Sequence, residues 1–221
     1  MRCWFDCYEV GADTAEDKDT VFLRSAYVLL SSAWERFIED IIIAGTRFIV
    51  ETVDAKDVPK ALKKKICKNI QNDKNELSAW SLVGDNWKNK VLECIEEQIR
   101  ALNSPKSMKI DEIFNDVFGI KITESWHWRY EVEENKYADF SVENVKNLID
   151  EFVSARGAIA HGREAQHPQS FYLNYIRQLI GKVASLINNE LCNHLEKMTG
   201  KAPWEKVSYN VDWKPYLIKE E

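Results

Sequence analysis

Arg156-Gly157-Ala158-Ile159-Ala160-His161 sets an always-charged guanidinium and an imidazole five residues apart near the end of an apolar helical pattern. Val145, Ile149 and Phe152 recur at spacings of four and three, and the same rhythm falls next on Arg156 and then on Ile159. The arginine therefore occupies a position where a core residue is due. A guanidinium keeps its proton and is rarely buried alone, so this position asks for a carboxylate, a phosphate or a water-filled cleft. His161 precedes Gly162, which reads as the glycine closing the helix. At about 100° per residue the two side chains stand roughly 140° apart, and they converge only if the helix frays or a second molecule contributes. Both features point to a cleft or an interface.

The elements that must carry this pair are long helices. Thr14-Ala15-Glu16-Asp17 resembles a capping box, and it opens an amphipathic run through Leu23, Tyr27, Leu30, Trp34, Phe37 and Ile41 to about Thr52. A second helix is predicted from Pro59 to about Asn72, and a third from about Asn75 to Leu102, broken near Gly84. Asn103-Ser104-Pro105 punctuates the chain before a short helix, Asp111 to Phe118, closed by Gly119. Ile120 to Phe140 reads as a long connection carrying Trp126-His127-Trp128. The motif helix spans about Ser141 to His161, and Pro168 starts a helix of about thirty residues that ends at Gly200. The expectation is an all-α bundle of long helices whose last two form a hairpin, with Gly162 to His167 as its turn and Arg156 and His161 at its mouth. One domain is expected over residues 1–221, with its core at about 14–200 and an irregular tail over 201–221.

Composition narrows the function classes. The 221 residues are 45% hydrophobic and 30% charged, with few Gly or Pro, which fits a helix-rich globular protein rather than disorder or a strand-and-turn sandwich. No signal-like apolar stretch opens the chain, and the longest apolar run, near Ile41-Ile42-Ile43-Ala44, is too short to cross a bilayer, so a cytoplasmic protein without a membrane partner is expected. Five cysteines without a CxxC pair read as reduced thiols. Cys192 and His194 lie two apart on a helix and point to different sides, and no metal site or cofactor is expected. There is no Gly-rich phosphate loop.

A formal charge of −6 opposes indiscriminate binding to nucleic acid. Locally, Lys60, Lys64 and Lys68 recur at helical spacing and are joined by Lys63 and Lys65, a stripe able to track a phosphate backbone or to serve as an ordinary solvated face. Trp126 and Trp128 fit a bundle core better than a base-stacking platform.

The ordered set of these features resembles the HEPN superfamily, and within it the RiboL-PSP type. The resemblance rests on the Arg-x4-His motif at a helix end, the polar turn and long helix after it, and the first-helix segment Leu30-Ser31-Ser32-Ala33-Trp34-Glu35-Arg36-Phe37. The break at Asn103-Ser104-Pro105 leading to Ile110-Asp111-Glu112-Ile113-Phe114 and Phe118-Gly119-Ile120 adds to it, so that it covers about residues 20 to 200. It implies a metal-independent endoribonuclease acting as a homodimer in a toxin-antitoxin or anti-phage defence setting, with an antitoxin or defence protein as a further partner. In that reading His161 handles the proton of the RNA 2′-hydroxyl or of the leaving oxygen, and Arg156 holds the scissile phosphate. Cleavage would leave a cyclic phosphate, and DNA would be inert. Glu35 and Ser32 would support the pair, and Lys60, Lys64 and Lys68 would bind RNA. Many active HEPN ribonucleases carry a polar residue directly after the Arg, where this chain has Gly157. That departure and the acidic balance favour the alternative, a HEPN-like scaffold or RNA-binding partner subunit that does no chemistry.

Overall fold

The computed structural model describes residues 18–75, 77–103, 105–160 and 170–216. Among them are six α-helices, α1 (Lys18–Thr52), α2 (Lys60–Asn72), α3 (Asn86–Arg100), α4 (Ser107–Phe118), α5 (Val142–Ala160) and α6 (Ser170–Thr199). One two-stranded sheet joins them, formed by β1 (Trp128–Glu133) and β2 (Lys136–Phe140). The fold is all-α, as the periodicity predicts. The capping-box residues 14–17, the turn 162–167 and His161 itself lie outside the described residues.

The apolar period of α1 becomes its buried face: Tyr27, Trp34, Ile38, Ile42 and Ile49 are all buried, and every other helix adds residues to the same apolar cluster. Trp34 packs edge-on against the buried Trp126, ring centres 6.2 Å apart, and its indole N–H donates to the Pro105 carbonyl at 3.4 Å. These two rings lock the connection after α4 onto α1. Gly45 marks where α1 meets α4 and α6: a Cβ placed there would come 2.9 Å from Cζ of Phe118 and 3.1 Å from Cδ2 of Leu191. Only a residue without a side chain permits that approach.

Two carboxylates fix the middle of the chain. Asp150 on α5 accepts the Ser107 backbone N–H at 2.6 Å and its hydroxyl at 2.9 Å, satisfying a donor at the start of α4. Asp111 accepts from the Thr123 N–H at 3.0 Å and hydroxyl at 2.6 Å, and Lys146 of α5 reaches it at 3.3 Å. Because Lys146 meets Asp111 and Asp150 meets Ser107, α5 runs antiparallel to α4.

Two expectations need correction. The segment from Ile120 to Phe140 is not a plain connection. It holds a 3-10 turn, Ile122–Ser125, and then the antiparallel β1–β2 hairpin, in which Trp128 pairs with Phe140 and Asn135 takes the left-handed conformation at φ 61°. The third helix is shorter than expected, because a 3-10 turn, Ser78–Leu82, and Gly84 at φ 68° separate the chain before Asn86 from α3. The tail after Gly200 is irregular but not loose. It runs back along α6, with the Cys192 thiol bound to the Trp204 carbonyl, Asn189 to the Val207 backbone, Tyr209 to Gln178, and Asn174 to the Tyr216 hydroxyl. Trp213, 2% exposed, then packs on Trp128 and Phe140 of the hairpin and on Tyr175 of α6.

Candidate functional site

Arg156 extends the buried line of α5, following Val145, Ile149 and Phe152, and it is half-buried. The turn before it is tied to α1 by Tyr27, whose ring packs on Phe152 with centres 5.0 Å apart and whose hydroxyl donates to the Phe152 carbonyl at 3.2 Å. In an α-helix that carbonyl also accepts the N–H of the residue four further on, which here is Arg156. Tyr27 therefore anchors the helical turn that carries the arginine. The same ring stacks on Tyr172 in the first turn of α6 at 6.5 Å, so the Phe152 turn of α5 and the start of α6 both pack on Tyr27. Glu151, half-buried, and Tyr175 complete the surroundings.

Electrostatically this is a region that keeps its phenols neutral. Burial pushes the Tyr27 hydroxyl far above its ordinary value, and the nearby Tyr172 and Glu151 push it further. Tyr175 is raised for the same reasons, burial first. Tyr27 is thus a fixed neutral donor at any working pH. Above pH 10.0, the ordinary tyrosine value, the unfolded chain releases protons that the native one retains, so the native state loses stability as the pH rises. The slope is about 1.4 kcal/mol per pH unit for each such tyrosine. Tyr27→Phe should lower stability near neutrality by about 1 kcal/mol through the lost hydrogen bond, and it should flatten the alkaline decline. Thermal melts from neutral pH to above pH 10.0 check both effects; equal alkaline slopes would remove this account of Tyr27.

The other expected site residues are placed less centrally. Ser32 is exposed and its hydroxyl donates at 3.0 Å to the Val28 carbonyl of its own helix, whereas its neighbour Ser31 is buried. Glu35 is half-buried, eight residues beyond Tyr27 and so about 12 Å farther along α1. The residue that α1 brings to the Arg156 turn is Tyr27, which the sequence showed only as a seam position. Trp126 and Trp128 belong to the core, as expected. Cys192 and His194 serve as ties: the thiol binds the Trp204 carbonyl and a His194 ring nitrogen lies 3.1 Å from the Phe118 carbonyl.

The lysine stripe is gathered on a groove. Lys60, Lys64 and Lys68 of α2, with Ala61 and Lys65, form one wall, and Asn115 and Asp116 of α4 form the other, around a volume of about 480 Å³. Lys65 pairs with Asp116 at 3.1 Å and bridges the walls.

An all-helical bundle of this organisation is the architecture of HEPN domains. The RiboL-PSP-HEPN family model matches residues 8–197, and the chain belongs to that family. Membership places it among nuclease-like, RNA-related folds. Neither the curated proteins nor the solved structures gave a match. No described helix is long and apolar enough to cross a membrane.

Proposed function

We propose that this protein is a metal-independent endoribonuclease of HEPN type, working as a cytoplasmic homodimer under the control of an antitoxin or defence partner. The observation that carries the reading is Arg156, half-buried one turn after Phe152, where α5 packs on Tyr27 of α1, in a chain of the RiboL-PSP-HEPN family. In this reading the guanidinium grips two oxygens of the scissile phosphate through its planar fork. One His161 imidazole takes the 2′-hydroxyl proton as that oxygen attacks phosphorus, and an imidazolium returns a proton to the departing 5′-oxygen, leaving a 2′,3′-cyclic phosphate.

Support for a second copy comes from α1. Phe22 and Leu29, 73% and 70% exposed, lie two turns apart on one face, near the Tyr27 end of the helix. Apolar side chains in file at the end of the bundle that carries Arg156 suit a symmetric contact that sets two motifs in one cleft.

Incubating the purified protein with RNA in EDTA should yield fragments ending in cyclic phosphate, with DNA left intact, from material that sediments as a dimer at micromolar concentration. Intact RNA would remove the catalytic reading. Gly157 favours a second reading, a non-catalytic dimeric scaffold. A Cβ there would meet nothing within 4 Å among the described residues, so packing among those residues does not demand a glycine in place of a polar side chain. RNA bound but never cut would select it.

A further inference from the structure

The groove between α2 and α4 stands far from Arg156, and two helices give the same separation. Tyr27 of α1 touches Phe152 and Tyr172 at one end, while Gly45 of α1 meets Phe118 and Leu191 at the other. Tyr27 to Gly45 is about 27 Å of helical rise, and Tyr172 to Leu191 about 28 Å. Asn115 and Asp116, which wall the groove, lie three and two residues before Phe118 on α4.

The charge in the groove is out of keeping with the rest of the chain. In a protein with 36 acidic and 30 basic residues, α2 has five lysines in 13 residues and no Asp or Glu. Lys60, Lys64 and Lys68 make no ion pair among the described residues, and Lys65 beside them pairs with Asp116. Those three are exposed and successive, about 6 Å apart along the axis, so they present a row of ammonium groups about 12 Å long. Asp116 does not cancel the row, because Lys65 already neutralises it at 3.1 Å. Uncompensated like charges in file repel one another, and a polyanion lying along them relieves that repulsion and releases counterions.

We propose that this groove is an exosite for the phosphodiester backbone of single-stranded RNA, gripping a part of the strand remote from the cleavage end of the bundle. The choice of RNA as occupant rests on the ribonuclease reading above. The exosite reads phosphates rather than bases, so it confers a preference for length and not for sequence. An RNA too short to span the bundle cannot engage both ends, and its cleavage does not depend on the lysines.

The test uses the full chain with Lys60, Lys64 and Lys68 all replaced by Gln, checked for an unchanged thermal melt. Affinity for RNAs of ~4 and ~16 nucleotides is measured across salt, together with their cleavage. The variant should bind the longer RNA about 10- to 100-fold more weakly at 0.1 M salt, with a salt slope shallower by about 2. It should cut the shorter RNA at the wild-type rate. Undiminished affinity for the longer RNA would overturn the exosite, as would equal losses for both lengths. If the wild type cuts no RNA at all, the ribonuclease reading fails, yet the binding arm still decides the groove.

Discussion

Replacing His161 by Ala should slow RNA cleavage by about 10²- to 10⁴-fold while leaving RNA affinity close to that of the wild type. The split follows from when the imidazole acts. Proton transfer to and from the reacting oxygens is made only in the transition state, so its loss falls on the rate of the chemical step and not on ground-state binding. An imidazole with a reference pKa of about 6.5 has both protonation states available near neutrality, which lets one residue type serve as base and as acid. The same contrast should be visible in cells. Expression of the wild type without its partner should slow growth, and His161→Ala should relieve the effect at equal soluble yield. Equal toxicity of the two forms would show that whatever harms the cell is not the proposed cleavage.

Where local pattern decides structure, the sequence could be read. The seam of α1 read at Leu23, Tyr27, Leu30, Trp34, Phe37 and Ile41 repeats at the helical period; Tyr27, Trp34 and Ile41 are buried and Leu23, Leu30 and Phe37 partly so, because one face of the helix must be covered. Gly119 and Gly200 close α4 and α6 where a helix-ending glycine was expected. The β1–β2 hairpin was not legible. It turns at Glu134-Asn135 rather than at a strong turn pair, its outer positions are charged, and its packing depends on Trp213, which lies more than seventy residues away in sequence. The tail over α6 escaped for the same reason, since its order comes from side-chain and backbone ties to Asn174, Gln178 and Asn189 rather than from any period of its own.

At the candidate site the division is similar. Arg156 was visible as an interruption of an apolar rhythm, and the lysines of α2 as a repeat of four. The role of Tyr27 was hidden, because a tyrosine on a seam looks like any other large apolar residue until its hydroxyl is seen to meet the Phe152 carbonyl, 125 residues away. The opposite wall of the groove, Asn115 and Asp116, has no signature that links it to α2.

Arg156→Ala should weaken RNA binding and cleavage together, in contrast to His161→Ala. A guanidinium on the scissile phosphate contacts an anion already charged in the ground state, and it gains further as charge builds on the oxygens in the transition state. Removing one such donor typically costs about 10²- to 10³-fold in rate. Arg156→Lys should recover little, because a single ammonium cannot reproduce the two parallel hydrogen bonds of the fork. The competing account makes Arg156 a purely structural cation inside the bundle, and it predicts a different signature. Breaking a buried ion pair destabilises by about 3–5 kcal/mol, so Arg156→Ala would then melt well below the wild type, and any loss of cleavage would follow the fraction unfolded. The ribonuclease reading gives the half-buried guanidinium a substrate phosphate as its partner, and it therefore expects the Ala variant to melt near the wild type. Melting and cleavage measured side by side separate the two accounts: Arg156→Ala and His161→Ala proteins that melt normally and still cut RNA at the wild-type rate would end the proposal.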